Sequence, residues 1–247
     1  MTKRIMVPAL LALAGCGGAA ANTAEAVREP RQLIVAVDLS GSQTPRMLAD
    51  EKAFLAQLVD GLSFGDQLVL LEMHQATTHE DARRWADTFP RPVDPTFVSS
   101  RDRDRLAGAR EGARSVADAL FDPATAGKAM HTDILSTLHV AAEYARDAGG
   151  RRPTLVLLSD MLQSANGIEM EGLRRMPDAR WIERQKAMGL LPRLDGVCIA
   201  VIGADPTTPA GVRVRDFWLR YFAAAGARLD ARGYRVMAPD GAVGGCG

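Results

Sequence analysis

Residues 33–42 read Leu33-Ile34-Val35-Ala36-Val37-Asp38-Leu39-Ser40-Gly41-Ser42, and they are the most informative segment for the fold. Its first half is a continuous apolar run rich in β-branched residues, a pattern typical of a strand buried on both faces of a parallel sheet. An aspartate and two serines at alternating positions follow the run directly. We therefore expect a central parallel strand that ends in a polar loop.

A helix and a second strand follow this segment. Thr44 and Pro45 supply a helix N-cap and a first-turn proline, and apolar residues then recur at helical spacing until Gly61 ends the pattern. A Gly65-Asp66 turn leads into another apolar run over residues 67–73. The chain opens as strand, helix, strand.

The rest of the chain continues this alternation. Strands are predicted at residues 154–159, 197–202 and 233–237, and helices at residues 102–120, 133–148, 179–190 and 215–225. The polar, proline-containing segment 77–100 is predicted to be a long connection that holds one short helix and an edge strand near Phe97 and Val98. Residues 164–195 form the largest insertion.

Alternating strands and helices predict the fold class. Such a pattern implies parallel strands joined by right-handed crossovers, which build a doubly wound, mostly parallel α/β sheet flanked by helices. We find no internal repeat and no second domain, so residues 32–247 are expected to form a single domain. Ligands of such sheets bind outside the carboxyl ends of the strands, where the strand order reverses.

The composition is that of an ordinary globular protein. The 247 residues are 47% hydrophobic, and 30 Lys and Arg balance 30 Asp and Glu. An apolar fraction of this size without net charge excludes intrinsic disorder, and the lack of a basic excess argues against a nucleic-acid partner. Three cysteines cannot make a disulfide framework in a chain of this length, and whether Cys198 and Cys246 pair stays open.

The N-terminus has the pattern of an export signal. Lys3 and Arg4 precede an apolar stretch over residues 5–14 that is too short to span a bilayer. The stretch ends in Leu13-Ala14-Gly15-Cys16, which resembles the bacterial lipobox. This resemblance implies a signal peptide over residues 1–15, lipid on Cys16 and a flexible tether over residues 16–31. Lipid chains would then hold the domain in the cell envelope, on the periplasmic side of the outer membrane in a Gram-negative cell.

Oxygen ligands are predicted to converge at one edge of the sheet. Asp38, Ser40 and Ser42 follow the first strand, Asp160 follows a later one, and Thr132 precedes a helix. Two carboxylates and three hydroxyls form a ligand set for a hard cation such as Mg²⁺ or Mn²⁺ rather than for zinc.

These residues resemble the metal-ion-dependent adhesion site of von Willebrand factor type A domains. The D-x-S-x-S motif matches at Asp38, Ser40 and Ser42, the family's threonine at Thr132 and its second aspartate at Asp160. In the family, the serines bind the metal directly, the aspartates directly or through water, and the threonine in the open state of the site. The chain departs from the family at His131 and Met161, where glycines are common.

The resemblance spans about residues 32–237 and implies recognition rather than catalysis. In the family, an Asp or Glu of a partner protein commonly completes the metal's coordination shell. We therefore predict a membrane-anchored binding protein that is not an enzyme.

Two alternatives to this hypothesis stay open. The first is a lipoprotein of an envelope or secretion assembly that acts without metal. The second, a haloacid-dehalogenase-like phosphohydrolase, needs an acidic proton donor two residues after its aspartate nucleophile, where this chain has Ser40.

Overall fold

The computed structural model describes residues 28–41, 43–74, 84–122, 130–229 and 233–237. The predicted signal peptide, the predicted lipidation site Cys16, Ser42 of the motif and Cys246 lie outside the described residues. No helix within the described ranges is long and apolar enough to span a membrane.

A six-stranded sheet forms the centre of the molecule. Its strands, in chain order, are β1 (Arg31–Asp38), β2 (Gln67–Met73), β3 (Arg84–Thr88), β4 (Arg152–Leu158), β5 (Cys198–Ile202) and β6 (Tyr234–Arg235). Across the sheet the order is β3-β2-β1-β4-β5-β6, and every pair is parallel except β2 with β3. The order reverses between β1 and β4, so the predicted doubly wound fold is confirmed.

Helices cover both faces of this sheet. They are α1 (Pro45–Asp60), α2 (Ser100–Leu120), α3 (Ile134–Arg146), α4 (Ala179–Ala187) and α5 (Pro209–Ala224). Residues of α1 and α2 pack with Leu33, Val35 and Val37 of β1, whereas α3, α4 and α5 pack on the opposite face with Ile34 and Ala36. Since β1 faces two cores, its central positions 33–37 are all apolar.

The sheet edge differs from the prediction. The prediction of an edge strand near Phe97 and Val98 is wrong. The strand at this edge of the sheet is β3, and Phe97 makes only an isolated bridge to Asp94. Apart from Trp85, the residues of β3 are exposed, so its sequence lacks the apolar run that identifies a buried strand. Residues 84–99 hold no helix, and the rest of the segment predicted to contain a short one lies outside the described residues.

Helix boundaries also differ from the prediction, most of all at α5 and α4. Helix α5 begins at Pro209 rather than at residue 215, with Thr208 as the N-cap whose hydroxyl accepts a hydrogen bond from the Gly211 N–H at 3.0 Å. This Thr-Pro start repeats the one at α1 and could have been recognised in the sequence. Helix α4 ends at Ala187, before the predicted residue 190.

The last residues of the predicted tether belong to the folded domain. Asp66 is fully buried and accepts hydrogen bonds from the backbone N–H groups of Arg31 and Ser63, both at 2.9 Å. Its carboxylate also pairs with the Arg28 guanidinium. The chain is therefore fixed to the sheet from at least Arg28, a contact that the polar composition of this segment does not reveal.

Replacing Asp66 by alanine is expected to lower the free energy of unfolding by about 2–3 kcal/mol, because buried N–H donors and Arg28 lose their acceptor. Asp60→Ala is the matched control, since its pair with Arg114 is about half exposed on both sides and is expected to contribute at most about 1 kcal/mol. Urea unfolding measures both. Equal effects of the two substitutions would contradict this account of the N-terminal junction.

Cys198 is disulfide-bonded. It is the first residue of β5 rather than an interior one, so another segment of the chain can reach its sulfur. The other two cysteines, Cys16 and Cys246, lie outside the described residues.

Candidate metal site

The candidate site lies where the strand order reverses. Asp38 is the last residue of β1, and Asp160 follows β4. These strands are parallel neighbours, with Val37 paired to Leu158, so both carboxylates lie at the same edge of the sheet. Reversal points are where doubly wound sheets bind ligands.

Asp38 is held in place by the loops on both sides of the reversal. Its side chain has no exposed surface. Oδ1 accepts a hydrogen bond from the Ser40 N–H at 3.0 Å, and Oδ2 accepts one from the Ser159 hydroxyl at 2.8 Å. The Ser159 oxygen in turn accepts from the Met161 N–H at 2.9 Å. The β1 and β4 loops are therefore fixed relative to each other.

A third loop joins them at Thr132. The Thr132 N–H donates to the Ser164 hydroxyl at 2.9 Å, and the Ser164 N–H donates to the Thr132 carbonyl at 3.0 Å. This exchange ties the segment before α3 to the segment after Asp160. Asp160 is partly exposed, and its Oδ1 accepts from the Leu162 N–H at 2.9 Å, which turns the chain at this point.

The structure thus brings Asp38, Ser40, Thr132 and Asp160 to one edge of the sheet on three connected loops. Ser42, the other predicted ligand, lies outside the described residues. Ser159 and Ser164 were missed by the sequence analysis, although Ser159 stands directly before the predicted Asp160. The available signal was a serine at the end of a predicted apolar strand, directly before a candidate ligand.

Asp133, which follows Thr132, is occupied as a helix cap. Its carboxylate accepts from the Ser136 N–H at 3.1 Å, the Ser136 hydroxyl at 2.6 Å and the Asn166 amide at 2.8 Å. The side chain of Gln163 bridges from Asp133 to the first N–H groups of α3. These contacts stabilise the loop of Thr132. They also occupy both carboxylate oxygens of Asp133, so Asp133 is not counted among the candidate metal ligands.

Met161 stands where a glycine is common in the family that the motif resembles, and its backbone has the left-handed conformation that favours glycine. Met161 has a φ of 64°, which costs an L residue roughly 1–2 kcal/mol. Its carbonyl accepts from the Trp218 indole N–H at 2.9 Å, and its side chain is fully buried in the core. Burial and hydrogen bonding therefore offset the backbone strain next to Asp160.

Acidic side chains cluster at this edge of the sheet. Burial raises the pKa of Asp38, and hydrogen bonds from Ser40 and Ser159 oppose that rise. Burial, followed by the charges of Asp38 and Asp160, raises the pKa of Glu51 in α1 to about 9. Both carboxylate oxygens of Glu51 are buried, and neither has a hydrogen-bond partner among the residues that the structure describes.

A divalent cation fits this donor set. It would neutralise the buried carboxylates, and the hydroxyls and carboxylates are the oxygen ligands that Mg²⁺ and Mn²⁺ prefer. In the part of the chain that the structure describes, no three Asp, Glu, His or Cys side chains converge closely enough to hold a metal by themselves. A bound ion would therefore depend on hydroxyl and water ligands as well as on Asp38 and Asp160.

The metal-free protein is expected to lose stability as the pH rises. The folded state raises the pKa of Glu51 to about 9, so the stability contributed by its proton is complete below its ordinary pKa and is lost as the pH rises through about 9. The raised pKa of Asp38 acts in the same direction.

Urea unfolding in chelator over a pH series checks this dependence, and Glu51→Gln is expected to remove most of it. A variant with the wild-type slope would show that Glu51 titrates normally.

No protein-family model and no curated protein matches the chain. Among solved structures, it is similar to an aerotolerance-related membrane protein from Bacteroides fragilis, at 14% identity and a TM-score of 0.46 over 85% of this chain and 92% of that one. A von Willebrand factor type A protein from Catenulispora acidiphila matches at 12% identity and a TM-score of 0.40 over 80% of this chain and 43% of that one. Manganese-loaded TRAP protein from Plasmodium vivax matches at 15% identity and a TM-score of 0.40, over 81% of this chain and 64% of that one.

One of these similar structures is itself a von Willebrand factor type A protein. The match covers less than two thirds of the length of the Catenulispora and Plasmodium chains. The properties of the site described above follow from this chain's own residues.

Proposed function

We propose that this chain is a lipid-anchored envelope protein that binds a divalent cation, Mg²⁺ or Mn²⁺, and through it a carboxylate of a protein partner. The proposed ligands are Asp38, Ser40, Ser42, Thr132 and Asp160. The observation that carries the proposal is the buried Asp38 carboxylate at the reversal of strand order, held by Ser40 and Ser159 and surrounded by further acidic groups.

The chain's residues have separate roles in this proposal. Asp38 is fixed by two hydrogen bonds and so presents its charge in one orientation. Asp160 is partly exposed and supplies charge nearer to the solvent. The loop of Thr132 is held by Ser164, so a shift of either loop would move the other. A bound cation would supply a Lewis acid to which a partner's carboxylate can bind.

The surface beside Thr132 suits contact with a protein. His131 is exposed, and the Met130 side chain is 82% exposed. An apolar side chain next to a charged site can contribute contact area while the cation selects a carboxylate. We expect the partner to cover Met130 and to place an Asp or Glu beside Thr132 and Asp160.

The lipid anchor is supported by the N-terminal sequence alone. Residues 1–15 and Cys16 match the export and lipidation pattern. Because the fold includes Arg28, the tether would run from Cys16 to about that residue and keep the domain close to the bilayer. Lipidation on Cys16 is tested by mass spectrometry of the protein purified from membranes.

A cross-linked pull-down from envelopes, with and without a chelator, tests the proposed function. We expect a partner that is captured in Mg²⁺ and lost in chelator, and Asp38→Asn to lose it in both conditions. Capture that is insensitive to chelator and to Asp38→Asn would favour the metal-independent assembly protein. Turnover on a phosphoester panel would favour the hydrolase.

A further inference from the structure

Glu51 occupies an unusual position for a glutamate. It lies on the face of α1 that packs on the sheet, one turn before the core residues Phe54 and Leu55, and its side chain is only 3% exposed. Within the described part of the chain, neither carboxylate oxygen has a hydrogen-bond partner. A carboxylate buried in this way is costly unless another group compensates for it.

The Glu51 carboxylate is directed toward the ends of β4 and β5. A Cβ atom added to Gly203, which follows β5, would be 3.1 Å from Glu51 Oε1 and 3.0 Å from the Ser159 carbonyl oxygen. Ser159 is the residue that binds Asp38 and precedes Asp160. The carboxylate therefore lies beside the two strands' loops rather than on the outer surface of α1.

Among the described residues, the charged groups that act on Glu51 are Asp38, Asp160 and Asp50, and each of them is acidic. Repulsion from these groups adds to the cost of burial, so the fold alone gives no reason for an acidic residue at this position. A cation among them would reverse the sign of the interaction.

Gln43 is a second buried side chain with unused hydrogen-bonding groups at the same edge. It is 6% exposed and follows the D-x-S-x-S motif, and its backbone N–H donates to the Ser40 carbonyl at 3.2 Å. Its amide lies near enough to Asp38 to act on that carboxylate, although neither amide atom makes a hydrogen bond of normal geometry within the described residues. The Glu51 oxygens are therefore the clearer case of buried acceptors that the described residues leave unused.

We propose that Glu51 is a third carboxylate of the cation site, acting on the ion through its water shell rather than as a direct ligand. This inference rests on the proposed function. A direct role does not fit, because no three acidic side chains in the described ranges converge on one point. Mg²⁺ keeps several waters when it binds to proteins, and those waters need hydrogen-bond acceptors around them. The free oxygens of Glu51 are such acceptors, and its charge adds to those of Asp38 and Asp160.

Glu51→Gln tests this role, because it removes the charge and keeps the shape. We expect Mg²⁺ affinity to fall about ten-fold, the lower end of the range for groups outside the direct ligand shell. The same substitution is expected to raise the urea midpoint of the metal-free chain at about pH 8, since folding then no longer has to protonate the Glu51 carboxylate or to bury its charge. A residue with a purely structural role would not weaken metal binding while stabilising the metal-free fold.

Asp50→Asn is the matched control. Asp50 is adjacent and acidic, but its side chain is 64% exposed, so solvent screens its charge. Calorimetric Mg²⁺ titrations of the full chain and both variants give the affinities. They are made at about pH 8, where protons compete less with Mg²⁺ for the carboxylates than at lower pH. We expect Asp50→Asn to bind within about two-fold of the wild type.

The outcomes separate the two proposals. If Glu51→Gln binds Mg²⁺ as tightly as the wild type, the role proposed for Glu51 is wrong, while the proposed site at Asp38 is unaffected. If the wild-type chain binds no Mg²⁺, the proposed function falls and the role of Glu51 falls with it.

Discussion

Replacing Asp38 by asparagine is expected to abolish detectable Mg²⁺ and Mn²⁺ binding. Groups outside the direct shell of a metal typically contribute 10–100-fold to its affinity, so loss of a direct carboxylate should cost at least about 100-fold. That factor corresponds to about 2.8 kcal/mol of binding free energy. Calorimetric titration of the metal-stripped variant measures it.

The same variant should remain folded without metal. An asparagine oxygen can still accept from the Ser40 N–H, and its amide can donate to the Ser159 hydroxyl in place of the present hydrogen bond. Burial raises the pKa of the Asp38 carboxyl group, so its replacement by a neutral amide also favours the metal-free fold. Lost binding together with an unchanged or higher urea midpoint would therefore be specific to the site. Asp60→Asn, an exposed change on α1, should leave binding unchanged, and wild-type affinity in Asp38→Asn would contradict the assignment of Asp38.

Replacing Trp218 by alanine is expected to be the most destabilising single change, at about 3–5 kcal/mol. Trp218 has no exposed surface and packs against Phe217, Tyr221 and Phe222 with ring centroids 5.1–5.7 Å away. Its indole N–H also donates to the Met161 carbonyl at 2.9 Å, beside Asp160. Truncation would leave a large cavity and an unsatisfied carbonyl in the core that supports the site.

Two further variants divide this effect into its parts. Trp218→Phe keeps an aromatic ring and loses the hydrogen bond, and it is expected to cost about 1–3 kcal/mol. Phe97→Ala is the surface control, because that side chain is 68% exposed, and it should change stability by at most about 0.5 kcal/mol. Urea unfolding in chelator compares all three variants. A Trp218→Ala variant with near-wild-type stability would show that the core around α5 does not depend on this residue.

The architecture could be predicted because its central strands have distinctive sequences. β1 packs against helices on both faces, so its positions 33–37 are all apolar, and the polar motif marks where the strand ends. The helices that flank it have caps and apolar spacing that can be recognised locally. Periodicity and caps are local properties, which is why they identify elements of this kind.

The rest depends on contacts that are distant in sequence. The edge strand β3 has a mostly exposed, polar sequence that resembles a loop. The link between Asp38 and Ser159 joins residues 121 positions apart. Glu51 lies on a helix whose acidic residues are otherwise exposed, and only the packing of α1 on the sheet makes it buried. Local sequence patterns carry no information about such pairs.

Binding of a divalent cation at this edge of the sheet can be measured by calorimetric titration of Mg²⁺ or Mn²⁺ into the metal-stripped full chain. We expect saturable heat with a stoichiometry of about one ion per chain, together with a rise in the thermal unfolding midpoint. No saturable heat and no thermal shift in millimolar Mg²⁺ or Mn²⁺ would contradict it.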